Sequence, residues 1–98
     1  MGSYYSPYVN HCIRFYAKYP TASRFKSEAD KLNWKAVSSS LKGLPDNDIV
    51  AILSVYSANG KIEGNVAKLS KDTGVKKETL WKNVCDFERK VAKNRGLI

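Results

Sequence analysis

The stretch LSKDTGVKKETLWKNV, Leu69 to Val84, gathers the side chains whose types and spacing point most clearly to chemistry. Lys71, Lys76, Lys77 and Lys82 are cationic donors, and Gly74-Val75 separates two short amphipathic segments. Ammonium groups pushed outward on a helix donate hydrogen bonds to anionic oxygens, above all those of phosphate. The wider charge balance has the same sense. Residues 65–98 carry nine basic and four acidic side chains, net +5, whereas residues 1–64 carry eight and five, net +3, within a total of +8. A basic half on a small chain points to an anionic partner, most often nucleic acid. The plainer alternative is a solvated lysine surface that aids solubility.

Catalysis has little to work with. His11 is the only histidine, and it falls in an aromatic helical pattern. No Ser/His/Asp order, Gly-rich phosphate loop or carboxylate constellation accompanies it. Cys12 and Cys85 lie far apart, and neither belongs to a CxxC or a Cys/His cluster of metal spacing. They read as reduced, buried, small apolar residues of a cytoplasmic protein. No catalytic residue, metal ligand or cofactor is therefore expected. At 98 residues and 43% apolar content the chain has one domain's worth of core. No apolar run approaches the roughly 20 residues that span a bilayer. The opening MGSYYSPYVNH lacks the basic start and apolar block of a signal peptide. The expectation is a cytoplasmic chain without a membrane partner.

The elements that would position the lysines follow from periodicity and stop signals. Ser6-Pro7 reads as an N-cap and first helical position. Tyr8, Val9, Cys12, Ile13 and Tyr16 then recur at helical spacing, with Phe15 and Tyr19 widening the face, until Pro20. Ser27 is a second N-cap, followed by Glu28 and Asp30 in the first turn. Ala29, Leu32, Ala36, Val37 and Leu41 mark the expected inner face, Trp34 lies off it, and Gly43 fits the stop. The third segment opens at LPDND with Asp46 as its cap. Ile49, Ile52, Leu53 and Tyr56 form its stripe, and Asn59-Gly60 ends it. After a loop from Lys61 to Gly64, a fourth helix starts near Asn65, holds Val66, Leu69 and Ser70 inward, and breaks at Gly74. The fifth runs from about Lys76 to Asn94 on Leu80, Val84, Phe87 and Val91, and the run from Glu88 to Arg95 reads as its solvated end. The chain is thus expected to be all-α, with about five helices and no sheet.

A helix-turn-helix unit makes particular steric demands. Two helices cross steeply through a very short turn. A small residue is needed where the second passes over the first. Glycine suits the left-handed turn position, an apolar residue after it plugs the corner, and further apolar residues hold the second helix down. Leu69, Ser70, Gly74, Val75 and Leu80 fill these places. The segment L-S-K-D-T-G-V-K-K-E-T-L resembles the bacterial helix-turn-helix pattern L-A-x-x-x-G-V-x-x-x-T-[IVL]. It departs at Thr73, a place usually apolar, and at Asn83, where a second anchor is usual and Val84 follows. Upstream, Leu44-Pro45, Ile52-Leu53 and Tyr56 extend the likeness. LPDNDIVAILSVY…LSKDTGV…ETLWKNV…ERKVAK is similar in order and spacing to region 4 of bacterial sigma factors over residues 44–93, with a longer link at Gly60 to Gly64. Residues 1–43 show no sigma region 2 motif. The opening YYSPYVNHCIRFY resembles small proteins of this kind from phage and mobile elements of low-GC bacteria.

The resemblance implies a C-terminal tri-helical helix-turn-helix unit, residues 44–98. An N-terminal helical pair, residues 1–43, packs on it to make one compact domain. It implies sequence-specific binding of double-stranded DNA by a transcription regulator or sigma-like factor, with the last long helix in the major groove. The positions carried over as base-facing are Lys76, Lys77, Glu78, Thr79, Trp81 and Lys82. Lysine donates to guanine O6 and N7, glutamate accepts from cytosine N4, and the threonine methyl touches thymine. Lys68, Lys71 and Arg89 are carried over as phosphate contacts that fix register. Most have another role beside this: Lys76 and Lys77, near the helix start, as phosphate contacts, Glu78 as a first-turn acid, Trp81 packed on the N-terminal helices, Thr79 as a cap, Arg89 in a solvated helix end. The aromatic crowd of Tyr4, Tyr5, Tyr8, Phe15, Tyr16, Tyr19 and Phe25 either builds core or docks a twin chain or RNA polymerase. The rival reading is an adaptor that keeps the shape but grips RNA polymerase or another regulator without reading DNA.

Overall fold

Each amphipathic stretch closes into a helix because one face can be buried against the others. The computed structural model describes residues 4–98, and among them there is no strand. Helix α1 spans Ser6–Lys18, α2 Glu28–Leu41, α3 Asp46–Ser57, α4 Ile62–Thr73 and α5 Lys77–Asn94. α5 packs on the other four, and α1 lies against both α2 and α3. One continuous core draws on all five helices, from Val9, Cys12 and Ile13 to Val84, Phe87 and Val91. No helix is long and apolar enough to cross a membrane among these residues.

Local signals explain most helix ends, and tertiary partners explain the exceptions. Ser27 caps α2 as expected, its Oγ accepting from the Asp30 N–H at 3.1 Å. Ser6 instead enters α1 as its first helical residue, with Tyr5 at the cap. Ser6 is itself buried, and its hydroxyl makes no hydrogen bond among the described residues. Pro45, not Asp46, takes the cap position of α3, which puts Asp46 and Asp48 in its first turn. The link expected at Lys61 to Gly64 is largely helical, because α4 begins at Ile62. Two side chains organise that early start. Arg14 of α1 donates to the carbonyls of Tyr56, Ala58 and Gly60 at 3.2, 2.9 and 2.7 Å. The Asn65 amide donates to those of Val55 and Ala58 at 2.9 and 3.1 Å.

The inner face of α2 is rotated from the expected one. Ala29 is exposed and Leu32 is 43% exposed, while Asn33 and Ser40 are buried beside Ala36, Val37 and Leu41. Both polar residues are satisfied at a distance. Asn33 Oδ1 accepts from the Tyr8 hydroxyl at 3.0 Å and from Arg95 Nε at 2.6 Å. Ser40 Oγ donates to the Ala36 carbonyl and accepts from Asn94 Nδ2. A buried polar group with partners costs little, so these two can lie where an apolar count would not place them.

Glu88 corrects the expectation of a solvated helix end: it is 2% exposed. The Tyr56 hydroxyl donates to its Oε2 at 2.8 Å. Burial pushes the Glu88 carboxyl above the ordinary glutamate range, and the hydrogen bond from the Tyr56 hydroxyl only partly opposes this. Burial, and then the neighbouring carboxylate, raises Tyr56 as well, so that its hydroxyl keeps its proton. The folded chain therefore holds the Glu88 proton more tightly than the unfolded chain does. Stability contributed by neutral Glu88 is present below the ordinary value near 4.5 and is lost as pH rises through the raised one. Glu88→Gln keeps an acceptor for Tyr56 and removes the charge. We expect it to raise the melting temperature at neutral pH and to flatten the pH dependence above about pH 4.5. Melting followed by circular dichroism checks this; a variant that melts lower than the parent at neutral pH would contradict it.

The aromatic crowd divides. Tyr5 and Tyr16 pack against the core. Phe15, Tyr19, Phe25 and Trp34 form a separate half-exposed cluster between α1, the following segment and α2. Cys12 is buried, and burial pushes its thiol up to about 11. Cys85 is only half-buried, and both thiols are free.

Candidate nucleic-acid interface

The corner between α4 and α5 is three residues long, Gly74 to Lys76. Gly74 caps α4 with φ +78°, a left-handed conformation that costs a side-chain-bearing residue more than glycine. Its N–H donates to the Ser70 carbonyl at 2.9 Å. Val75 does not plug the corner as expected, since it is 42% exposed. Polar bonds close it instead. Ser70 Oγ donates to the Val75 carbonyl at 2.6 Å. Thr73 Oγ1 donates to the Leu69 carbonyl at 2.8 Å and accepts from the Val75 N–H at 3.3 Å. The threonine that breaks the apolar pattern is thus part of the turn.

α5 begins at Lys77, with Lys76 as its cap residue. Leu80, Val84, Phe87 and Val91 are buried, fixing one face inward. Successive residues advance by about 100°, so the opposite side carries Glu78, Thr79, Lys82, Asp86 and Arg89. Lys76, Lys77, Glu78, Thr79 and Lys82 are all exposed, as are Lys68 and Lys71 on α4 and Arg89 two turns beyond Lys82. Lys82 Nζ lies 3.8 Å from Asp86 Oδ2 in an exposed i,i+4 pair. Such pairs contribute only about 0.3–0.5 kcal/mol, so the ammonium is not locked. Among the described residues no other cation of this surface meets a carboxylate at ion-pair distance.

Trp81 is half-buried and packs against the core. Its other side, with Lys77, Glu78 and Glu63, lines a shallow depression between the starts of α4 and α5. Asn83 is half-buried near Asp48 and Lys90, and Val84, 1% exposed, takes the anchoring place beside it. The sequence pattern assigns Glu63 no role, because Lys61 to Gly64 reads as a loop, whereas the residue lies in the first turn of α4. Glu88 was traceable: it falls four residues after Val84 and three before Val91, on the buried stripe itself. Among the described residues no cluster of three or more His, Cys, Asp or Glu side chains is arranged to hold a metal ion. No protein-family model, curated protein or solved structure matches the chain.

Proposed function

We propose that this chain binds double-stranded DNA sequence-specifically, as a cytoplasmic transcription regulator or sigma-like factor, with the start of α5 in the major groove. The observation that supports it most is the exposed side of the first two turns of α5. There Lys77, Glu78, Thr79 and Lys82 follow directly on the left-handed Gly74 corner and take no part in the core. Glu78 and Thr79 give that side acceptor and methyl chemistry, so it offers more than charge. Lys68, Lys71, Lys76 and Arg89 would meet phosphate and set the register. The depression at Trp81 supports the rival reading. An indole beside Glu63 and Glu78 suits a cationic side chain of RNA polymerase or another protein regulator better than it suits a phosphate.

Selection of bound duplexes from a random library, followed by mobility shifts, separates the two. Lys77→Ala and Lys82→Ala should each weaken the selected site by roughly 5- to 150-fold, the loss of one good base contact. Lys42→Ala, at the far end of α2, should change it little. Equal effects of all three would remove the recognition role from α5. Failure to enrich any sequence would favour the adaptor.

A further inference from the structure

A second recess lies away from α5, between the end of α1 and the start of α2. It is a solvent-open recess of about 440 Å³, lined by His11, Phe15, Tyr19, Phe25, Arg24, Lys26 and Asp30 among others. This is within the range of small-molecule sites. Its aromatic rings are not core residues. Phe15 meets Tyr19 at 5.7 Å and 61°, and Phe25 at 6.4 Å and 62°, in edge arrangements, and all three residues line the recess. Tyr19 is 48% exposed. The cluster is nevertheless held in place from behind. Phe25 rests on Trp34 at 5.7 Å, and the Trp34 indole N–H donates to the Tyr19 carbonyl at 2.8 Å.

The polar rim has two parts. Arg24 and Lys26 are exposed, and among the described residues neither meets a carboxylate at ion-pair distance. Lys18 adds a third cation, its Nζ 5.4 Å from the centre of the Tyr19 ring. Asp30 contributes a carboxylate with no hydrogen bond or ion pair among the described residues; only its backbone N–H is engaged, by the Ser27 cap. Aromatic side chains lining a recess take a flat ring by stacking or edge contact. Unpaired cations, one of them a planar guanidinium fork, take a phosphate. A free carboxylate takes adjacent N–H donors on the edge of that ring. Guanine presents such a pair, its ring imino and exocyclic amino groups. Adenine presents a ring acceptor there, which the carboxylate repels.

We propose that this recess binds a free guanine nucleotide, with the base against Phe15, Tyr19 and Phe25, its donor edge on Asp30 and its phosphate on Arg24 and Lys26. The site is separate from the DNA-reading surface and does not depend on that reading. Heteronuclear NMR titration of the full chain with guanosine monophosphate tests it. Saturable shifts are expected at residues 15–30 and at the Trp34 indole, with at least tenfold weaker binding of adenosine monophosphate. Arg24→Ala with Lys26→Ala should cost tenfold or more. Asp30→Asn, which exchanges one acceptor for a donor, should erase the preference for guanine. All of these residues lie at the surface, so unchanged spectra elsewhere verify folding. Absence of saturable shifts, equal binding of inorganic phosphate alone, or shifts confined to residues 76–82 would overturn the proposal. So would tighter binding of a guanine-containing single-stranded oligonucleotide than of the free nucleotide.

Discussion

Phe87→Ala is expected to destabilise the chain by roughly 3–5 kcal/mol, the ordinary cost of truncating a well-packed core aromatic. Phe87 is 2% exposed and sits on α5, where it lies beside Ile52 of α3 and Leu44 just before it. Domains of this size have about 5–15 kcal/mol in total, so the loss is a large share of it. The melting temperature should fall by roughly 12–40 °C, at about 4–8 °C per kcal/mol. Lys93→Ala, on the exposed side of the same helix, is the control and should stay within about 0.5 kcal/mol. Urea and thermal melts followed by circular dichroism provide the comparison. A loss below about 1 kcal/mol for Phe87→Ala would mean that α5 is not seated as described.

The second large effect concerns salt. If Lys68, Lys71, Lys76, Arg89 and one further cation neutralise about five phosphates, duplex affinity should fall roughly 10²- to 10³-fold for a fourfold rise in salt. Removing one phosphate lysine, as in Lys71→Ala, should lower the slope by about one and weaken all sequences alike. Lys82→Ala, by contrast, should act mainly on the selected sequence. This contrast matters because a chain of net charge +8 will show some salt-dependent affinity for any polyanion. Titrations of selected and scrambled duplexes across salt concentrations check both arms. No duplex binding at low salt would leave only the adaptor reading.

How much of this was legible in the residues depended on where each one's partner lay. The Ser27 cap, the stop at Gly43, the corner at Gly74 and the inner stripe of α5 are local features, and all can be read within a few positions. The face of α2 could not be read this way. Asn33 is buried because Tyr8 and Arg95 reach it from 25 and 62 residues away. The start of α4 needed Arg14, 46 residues before Gly60. Glu88 lay on an apolar stripe, but its partner Tyr56 is 32 residues back, so charge outweighed spacing in the reading. On α5, exposure of Lys76, Lys77, Glu78, Thr79 and Lys82 follows from periodicity alone, whereas the depression that joins Trp81 to Glu63 needs two helices to be placed together.

Arg14 bears on how the chain can be cut. One guanidinium rooted in α1 fastens the last carbonyls of α3 to the link before α4. A planar fork serves three oxygens at once, which a single ammonium does not match. A segment transplanted from Leu44 onward would leave that latch behind along with its apolar cover. The Asn65 amide alone would then hold the link, and a host scaffold would have to furnish its own fork to restore the other contacts.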